Sequence, residues 1–261
     1  MNISLDGKTA LITGASRGIG LATALEMARS GASGLTITSR REENVAVARQ
    51  ELVSAGIDGD RILALAARAD SEEAAASAID ATVQRFGSVD ILVNNAGTNP
   101  AAGDLMEVDL GALDKTWAVN MRAPLLWTRA VYHRWMADSG GVVVNVASVA
   151  GLRPSEGMGA YNISKAGLIF MTKQLALELA PGVRVLAVAP GVVRTRLAGA
   201  LLTDEEEMAS RHPLGRVGEP EDVARTITYL VSDEASWMTG AIVPVDGGLA
   251  EAGSSGISEI P

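Results

Sequence analysis

The sequence predicts an α/β protein with a doubly wound, seven-stranded parallel sheet and helices on both faces. Short β-branched runs alternate with longer amphipathic segments along the chain, a pattern that implies βαβ crossovers. The composition agrees, because 48% of the 261 residues are hydrophobic and only 3% are aromatic. A core of Ala, Val, Leu and Ile is typical of a parallel sheet that helices cover on both sides. The length suits one such domain.

Seven β-branched runs are predicted to be the strands, each followed by a stretch with turn residues or helical spacing. In chain order they are KTALIT (8–13), LTITS (35–39), RILALAA (61–67), DILVNN (90–95), GVVVNVAS (141–148), VRVLAVAP (183–190) and AIVPVD (241–246). No shift in composition marks a second domain. We therefore expect one domain over residues 1–249, followed by a Gly/Ser-rich tail over residues 250–261.

Helix-start signals fall between these strands. Pro220 is predicted to open a helix that ends near Val231, with two acidic residues in its first turn. Thr203 and Glu206 have the spacing of a capping box, in which each side chain bonds the backbone of the other residue. That spacing predicts a short helix beginning at Thr203.

The charge and the lack of cysteine exclude several classes of function. A formal charge of −9 argues against nucleic acid, which requires a basic surface, and against acidic protein partners. Without cysteine there is neither a disulfide nor a thiolate metal site, which fits a reducing compartment. His133 and His212 have no neighbour at ligand spacing, so we expect no metal. The chain shows neither a signal-peptide pattern nor an apolar run long enough for a membrane, which predicts a soluble cytoplasmic protein.

The first predicted strand runs directly into TGASRGIG (13–20), which then opens a helix. Gly14 permits a tight turn, Gly18 lets a phosphate approach the backbone, and Gly20 allows close packing of the helix on the sheet. A pyrophosphate is stabilised at such a helix N-terminus. The spacing is G-x-x-x-G-x-G and not the G-x-G-x-x-G of the common fingerprint, and three glycines could also form a simple turn. The strand–turn–helix context favours a dinucleotide site of the Rossmann type.

A second motif, YNISK (161–165), places Tyr161 and Lys165 four residues apart in a segment whose apolar spacing predicts a buried helix. Positions four apart lie one above the other, so both polar groups enter the same small volume. A single such pair is more often found on a solvated helix face. Ser148, at the end of the fifth predicted strand, favours the functional alternative.

Taken together, the motifs resemble those of the short-chain dehydrogenase/reductase family. TGASRGIG, NNAG (94–97), Asn120, Ser148, YNISK and PG (190–191) stand in the family's order and at its intervals, and the likeness covers about residues 6–248. The segment 213–248 is similar to the branch containing 3-oxoacyl-carrier-protein reductases. The resemblance implies a nicotinamide cofactor across the carboxyl ends of the strands, where open α/β sheets bind ligands.

The resemblance also implies a role for four catalytic residues. Tyr161 gives a proton to a ketone oxygen or takes it back from an alcohol, and Ser148 hydrogen-bonds that oxygen. Lys165 holds the nicotinamide ribose and is expected to pull the pKa of Tyr161 from its usual value near 10 towards neutrality. Asn120 is implied to organise a water relay to Lys165.

Further positions are implied to contact the cofactor. NNAG braces the central sheet and lines the adenosine side, Thr195 bonds the nicotinamide carboxamide, and Asp70 meets the adenine amino group. The complete set of expected cofactor-binding residues is Gly14, Ser16, Arg17, Gly18, Ile19, Gly20, Ser39, Arg40, Asp70, Asn95, Ala96, Gly97, Tyr161, Lys165, Pro190, Gly191, Val193 and Thr195.

The end of the second strand predicts which dinucleotide is bound. Relatives specific for NAD usually carry an acidic residue here, whereas this chain has Ser39 followed by Arg40 and Arg41, with Arg17 in the glycine turn. Guanidinium groups match the geometry of a 2′-phosphate, so we expect NADPH/NADP⁺ over NADH/NAD⁺. The alternative is that Arg40 and Arg41 pair with the acidic residues at 42 and 43.

The substrate is less visible in the sequence. Residues 149–160 and 191–212 are predicted to form the walls and a lid, and Leu197, Leu201, Leu202 and Met208 suggest an apolar pocket. Residues 137–140 and 180–182 lack the basic side chains with which carrier-protein reductases hold their acidic partner. We therefore rank a small-molecule ketone or secondary alcohol above an acyl carrier protein.

Three functions remain in order of preference. The first is an NADP(H)-dependent carbonyl reductase or alcohol dehydrogenase, and the second is a 3-oxoacyl-(acyl-carrier-protein or CoA) reductase. The third is a catalytically inactive dinucleotide-sensing protein, because a fold alone does not establish chemistry. The resemblance also implies a homotetramer assembled through helices near 105–136 and 159–180 and the last strand. Trp117, Trp127, Trp135 and Trp237 are expected either in those contacts or in ordinary core and surface positions.

Overall fold

The computed structural model describes residues 3–252 and confirms the predicted fold class. Its strands form one parallel sheet in the order β3-β2-β1-β4-β5-β6-β7. The strands are β1 (Thr9–Ile12), β2 (Gly34–Ser39), β3 (Ile62–Ala66), β4 (Ile91–Asn94), β5 (Gly141–Val146), β6 (Val183–Pro190) and β7 (Ile242–Val245). Each lies within or almost within the run that predicted it.

Helices connect the strands and cover both faces of the sheet. They are α1 (Gly18–Arg29), α2 (Glu42–Ser54), α3 (Glu72–Phe86), α4 (Leu110–Trp117), α5 (Ala123–Val131), α6 (Ala137–Ser139), α7 (Gly159–Leu179), α8 (Glu205–Ser210), α9 (Pro220–Val231) and α10 (Leu249–Ala252). Two π-helical segments, Ala118–Arg122 and Tyr132–Met136, join α4, α5 and α6 into one helical run over residues 110–139. The first three residues of the predicted tail lie in α10, and residues 253–261 lie outside the described part of the chain.

The sheet separates two hydrophobic cores. Because neighbouring residues of a strand point to opposite faces, Leu11 and Ile12 of β1 enter different cores. Ile12 packs in the core that α1 and α9 cover, whereas Leu11 packs with Trp127 in the core under α3 and α5. Burial on both faces explains why the strands read as continuous apolar runs.

The strand order reverses between β1 and β4, which are both followed by glycine-containing loops. The chain winds outward from β1 through β2 to β3, then returns to β4 and winds to the other edge. This reversal creates a crevice at the carboxyl ends of the two central strands. The glycine turn and NNAG therefore lie side by side at the crevice.

The helix-start predictions had different outcomes. The start of α9 at Pro220 is confirmed, and the capping box there is formed by Glu219 and Asp222. The prediction of a capping box at Thr203 and Glu206 is wrong. Instead, the side chain of Asp204 accepts a hydrogen bond from the backbone N–H of Glu207 at 2.9 Å, and α8 begins one residue later. A carboxylate is at least as good an N-cap acceptor as a threonine hydroxyl.

Within residues 3–252, none of the helices has both the length and the apolar character that crossing a membrane requires. Nor does that part of the chain gather three or more histidine, aspartate or glutamate side chains as metal ligands.

Candidate active site

Helix α7 buries the predicted tyrosine and lysine on its inner face. Tyr161 is 9% exposed and Lys165 is 3% exposed. The Lys165 ammonium lies 5.6 Å from the centre of the Tyr161 ring and donates a hydrogen bond to the carbonyl of Val146, at 2.8 Å. The two polar groups therefore share one volume, as their spacing predicts.

Ser148 follows strand β5 and stands at the start of a short helical turn over residues 149–151. Its hydroxyl oxygen accepts from the backbone N–H of Ala150 at 3.1 Å and lies 3.5 Å from the carbonyl of Pro190. The first contact fixes the side chain at the end of the strand. The second brings it against the last residue of β6, so Ser148 lies between the ends of two neighbouring strands.

Asn120 occupies the first π-helical segment and is fully buried. Its amide oxygen accepts from the Thr98 N–H at 2.9 Å, and its amide nitrogen donates to the Thr98 carbonyl at 2.9 Å. The same nitrogen donates to the Ser164 hydroxyl at 3.1 Å, and that hydroxyl donates to the Tyr161 carbonyl at 2.7 Å. Asn120 thus links the loop after β4 to the helix that carries Tyr161.

Burial sets the pKa values of the two α7 residues. It raises the pKa of Tyr161 to about 12, and hydrogen bonding with Ser148 offsets part of that rise. Burial also lowers the pKa of Lys165 to about 8. The expectation that Lys165 pulls the Tyr161 pKa towards neutrality does not hold for the protein without cofactor, because desolvation raises this pKa by more than the hydrogen bond with Ser148 lowers it. Tyr161 is therefore a protonated donor at neutral pH.

The glycine turn is held against NNAG by hydrogen bonds. The Asn95 side chain donates to the carbonyls of Thr13 and Gly14 at 2.9 and 3.1 Å. The Thr13 hydroxyl accepts from the backbone N–H groups of Asn95 and Ala96 at 3.0 and 3.1 Å. A Cβ atom on Gly14 would lie 2.8 Å from the Ala96 Cα, so no larger residue fits between the two loops.

Helix α1 is suited to a phosphate group because its first turn is open. Its N-cap, Arg17, makes no side-chain capping bond, and its first turn holds no acidic residue. By contrast, α2, α3, α4, α8 and α9 each begin with acidic residues, a side-chain cap or both. Gly18 has a φ of +54°, a conformation that favours glycine. The backbone N–H groups of this turn can donate hydrogen bonds to the oxygens of a diphosphate. The turn therefore fits a dinucleotide, with Ser16 and Ile19 beside the same N–H groups.

Other predicted cofactor residues reach this turn from two sides. A Cβ atom on Gly97 would lie 3.8 Å from both the Asn120 amide oxygen and the Lys165 ammonium. On the opposite side, a Cβ on Gly18 would lie 3.1 Å from the methyl group of Thr195. The structure thus connects the expected phosphate end to the tyrosine and lysine through Gly97.

The loop after β6 is fixed by close backbone contacts. Gly191 follows Pro190, and a Cβ atom on it would lie 2.9 Å from the Cα of Asp246. Val193 pairs with Gly218 in an isolated parallel bridge. These contacts place Pro190, Gly191 and Val193 along the carboxyl edge of the sheet, next to Ser148.

The cationic residues predicted to select the dinucleotide lie at one end of the crevice. Ser39 is buried at the end of β2, and the Thr38 carbonyl accepts from the Ala15 N–H of the glycine turn at 2.9 Å. Arg17, Arg40 and Arg41 are exposed, and none forms an ion pair within residues 3–252. The alternative in which Arg40 and Arg41 pair with the following glutamates is therefore not observed in that part of the chain.

Asp70 lies in a loop at the same edge and is held by two cations. One of its oxygens is 2.6 Å from the Lys115 ammonium and 3.0 Å from the Arg68 guanidinium. The hydrogen bond from Lys115, followed by that from Arg68, lowers the Asp70 pKa to about 2, against the effect of burial. Asp70 is therefore a permanent hydrogen-bond acceptor. Lys115 had no motif in the sequence that would have singled it out.

A cavity of about 510 Å³ lies beside the candidate site but contains none of the four catalytic candidates. Its walls include Pro213, Leu214 and Gly247 and the ion pair of Arg216 with Asp222, at 2.7 Å. Val193 is the one predicted cofactor residue in that wall. The chemistry is therefore assigned to the crevice at α7 and not to this cavity.

The comparisons with known proteins agree with this geometry. Residues 14–250 match the family model described as Enoyl-(Acyl carrier protein) reductase. The chain is 39% identical over 248 residues to human dehydrogenase/reductase SDR family member 4, covering 94% of this chain and 88% of that protein. It is 36% identical to tropinone reductase-like 3 of Erythroxylum coca, covering 93% of each chain. A crystal structure of a short-chain type dehydrogenase/reductase from Mycobacterium marinum superposes with a TM-score of 0.87 at 33% identity, covering 94% of this chain and 96% of that chain.

Proposed function

This chain belongs to the short-chain dehydrogenase/reductase family and is an NAD(P)-dependent oxidoreductase, and we propose that it interconverts a ketone and a secondary alcohol with NADPH/NADP⁺. The observation that carries the proposal is the buried, protonated phenol of Tyr161 beside Lys165 and Ser148. The likeness to a human dehydrogenase/reductase and to a plant protein named for tropinone reduction supports a carbonyl substrate. We assign the cofactor site and the substrate site to the one domain predicted over residues 1–249.

In the direction of reduction, Tyr161 donates its proton to the ketone oxygen. Its pKa of about 12 keeps it protonated throughout the neutral range, which suits a general acid. Ser148 donates a hydrogen bond to the same oxygen while negative charge develops there. In the direction of oxidation, Tyr161 must first lose its proton, so burial makes this direction harder at neutral pH.

Lys165 and Asn120 maintain the position and the charge of the site. The Lys165 ammonium uses one donor on Val146 and has further donors for the nicotinamide ribose. Asn120, locked on Thr98 and Ser164, keeps its own backbone carbonyl in position for a water relay to Lys165. When bound, the dinucleotide supplies a hydride to the carbonyl carbon or accepts one from the alcohol carbon.

Residues around the crevice bind the dinucleotide. The open first turn of α1 receives the diphosphate at Ser16, Arg17, Gly18 and Ile19. Asp70 accepts from the adenine amino group. Pro190, Gly191, Val193 and Thr195 line the nicotinamide end, and Asn95 and Ala96 line the adenosine side. Gly97, also predicted on the adenosine side, lies instead towards Lys165 and so towards the nicotinamide ribose. The short contacts between the glycine turn and the NNAG loop support the assignment of both loops to one dinucleotide site.

NADPH is preferred because the end of β2 is cationic. Ser39 leaves room for a 2′-phosphate, and Arg40, with Arg17 and Arg41, offers exposed guanidinium groups that have no ionic partner within residues 3–252. An acidic residue at this strand end would instead repel the phosphate.

Replacing Arg40 with Asp tests this preference. We expect Arg40→Asp to weaken NADPH binding by roughly 10- to 100-fold, the value of a charged hydrogen bond, while NADH binding is unchanged or tighter. Fluorescence titration of each reduced cofactor measures both affinities. Arg225→Asp, which changes an exposed arginine on α9, is the matched control. An unchanged ratio of the two affinities would show that Arg40 does not contact the phosphate.

The function itself is tested with a panel of ketones and secondary alcohols, followed by nicotinamide absorbance with both cofactors. We expect turnover of neutral ketones with NADPH and slower oxidation of the corresponding alcohols at pH 7. An absence of turnover with every ketone and alcohol would refute the proposal.

Reduction of the ketone of a 3-oxoacyl thioester is the second candidate. The description of the matching family model supports a thioester substrate, although the enoyl group that it names is reduced at a carbon–carbon double bond. The chain supplies no basic side chain at residues 137–140 or 180–182, which counts against a carrier protein as partner. Including 3-oxoacyl-CoA in the panel separates the two candidates. A purely dinucleotide-sensing role is disfavoured because a protein that only binds the dinucleotide does not need the buried phenol of Tyr161 beside the Lys165 ammonium.

A further inference from the structure

Asn162 is a buried amide that directly follows Tyr161 but does not belong to the catalytic group. It is 7% exposed, and both ends of its side chain bond the same residue, Ser155. The amide nitrogen donates to the Ser155 carbonyl at 3.0 Å, and the Ser155 hydroxyl donates to the amide oxygen at 3.3 Å. We refer to these contacts as the Asn162 clasp.

The clasp fixes the loop that leads from Ser148 to α7. Ser155 lies in the middle of this loop and is exposed, whereas Asn162 is on the helix, so the clasp ties the free part of the loop to a rigid element. The Asn162 backbone N–H also donates to the Met158 carbonyl at 2.8 Å. The loop therefore has three fixed points around Tyr161, namely Ser148, Ser155 and Met158.

A second loop is attached to the first. The Gly103 N–H donates to the Gly157 carbonyl at 2.8 Å, and Gly103 pairs with Met158 in a parallel bridge. Leu105 lies so close to the start of α7 that a Cβ atom on Gly159 would be 2.5 Å from its Cγ. Residues 98–109 and 152–158 thus form one wall, which we call the joined wall, at the end of α7 that presents Tyr161.

We propose that Asn162 is a positioning residue that holds the joined wall at a fixed distance from Tyr161 and so sets the size of the ketone that is accepted. This inference rests on the proposed function and adds to it the residue that determines substrate size. Small ketones, which fill only the space next to Tyr161 and Ser148, do not depend on the wall. Bulky ketones must pack on it, and their productive orientation requires it to be in one place.

The chemistry of the amide explains why this residue type is needed. A carboxylate of the same shape would lose the donor and place an additional acceptor against the Ser155 carbonyl. A leucine would fill the space and leave the Ser155 carbonyl and hydroxyl without the clasp. Both changes leave Tyr161, Lys165 and Ser148 as they are.

The test compares Asn162→Asp and Asn162→Leu with the wild-type enzyme on a small methyl ketone and a bulky aryl ketone. We expect kcat/KM for the bulky ketone to fall by about tenfold, the value of one to two lost hydrogen bonds. The kcat for the small ketone and the affinity for NADPH are expected to stay nearly unchanged. Ser155→Ala, which removes only the two contacts of the hydroxyl with the Asn162 amide, should have a smaller effect in the same direction. Gln174→Ala, an exposed amide on the same helix, is the matched control.

Hydrogen exchange of the backbone over residues 149–160 provides a readout that needs no substrate. The Asn162 variants are expected to exchange about tenfold faster there, with unchanged exchange in the sheet. Equal losses for both ketones, or an unchanged exchange rate in residues 149–160, would overturn the inference. If the wild-type enzyme turns over no ketone while the exchange rate rises as expected, the proposed function fails and the clasp stands as the anchor of the wall.

Discussion

Lys165 is a charged residue that the fold buries at a cost to stability. The free energy of that burial follows from its pKa, which falls from 10.5 to about 8. At about 1.4 kcal/mol for each pH unit, the folded protein loses about 3 kcal/mol at pH 7 by keeping this amine charged. The hydrogen bond to Val146 is a contact that the buried amine keeps in the folded protein. We therefore expect the charge of Lys165 to serve cofactor binding or proton transfer rather than stability.

We predict that Lys165→Met stabilises the protein without cofactor while abolishing turnover. Methionine has a similar length, so the change removes the buried charge and leaves one carbonyl without its donor. The expected gain at pH 7 is about 1–2 kcal/mol, measured by urea unfolding. Lys173→Met, on the exposed side of the same helix, is the control.

The burial of Lys165 also predicts how the stability of the wild-type protein changes with pH. Between pH 8 and 10.5 the unfolded chain binds a proton at Lys165 that the folded chain has lost, so wild-type stability rises with pH in that range. The advantage of Lys165→Met should therefore shrink as the pH rises through it. A variant less stable than wild type at pH 7 would contradict the assigned burial cost.

Residue types and spacings singled out Tyr161, Lys165 and Ser148, and the family resemblance added Asn120, but neither identified the residues that hold them. Tyr161, Lys165 and Ser148 are informative because a phenol, an amine and a strand-end hydroxyl at these intervals have few structural uses. Ser164 and Asn162 stand in the same motif, yet serine and asparagine also serve as ordinary turn and cap residues. Their partners, 44 and 7 residues away, are defined only by the fold. The upward shift of the Tyr161 pKa also could not be predicted from the motif, because it depends on how deeply the folded protein buries the side chain.

Among elements, α7 has an inner face that carries the catalytic candidates and an outer face that no part of residues 3–252 covers. The inner face carries Tyr161 and Lys165. The outer face exposes Ile163, Phe170 and Leu177, at 44%, 70% and 77% exposure. Apolar residues seven apart lie along one side of a helix and mark a surface that another helix covers. We propose that this face takes part in a homotetramer.

Phe170→Asp tests the assembly. A charge in the centre of an apolar helix contact should dissociate the proposed tetramer to a smaller species, because a carboxylate buried without a partner is strongly disfavoured. Sedimentation equilibrium gives the mass of both proteins. Val47→Asp places the same charge on an exposed valine of α2. A wild-type protein that sediments as a monomer, or a Phe170→Asp variant of unchanged mass, would contradict this role of α7.

Helix ends show where prediction from sequence stops. The start of α9 was predictable because proline at the first helical position has few alternatives. The start of α8 was not predictable, because Thr203 and Asp204 are both good N-cap residues. The backbone conformation of the folded chain places Asp204 at the N-cap. The end of α9 is also defined by a distant residue. There, Arg184 of β6 donates to the carbonyls of Leu230 and Ser232 at 2.9 and 3.2 Å.

At the scale of the whole molecule, the topology gathers residues that are far apart in the sequence. Parallel strands end at the same edge, so the loops after β1, β4, β5 and β6 meet, and α7 crosses beside them. Alternating strand and helix patterns predict this convergence without coordinates. They do not predict the π-helical segment that turns Asn120 inward, because its distortion depends on packing against Thr98 and Ser164.

We propose that this convergence makes Tyr161 the proton donor of a carbonyl reductase. Tyr161→Phe tests it most directly, since it removes one hydroxyl and preserves the ring and its packing. The measurement is single-turnover reduction of a ketone by bound NADPH, with cofactor affinity determined in parallel. We predict nearly unchanged NADPH affinity and a rate lower by roughly 10²–10⁴-fold. A Tyr161→Phe enzyme that binds NADPH and reduces the ketone at the wild-type rate would contradict the account.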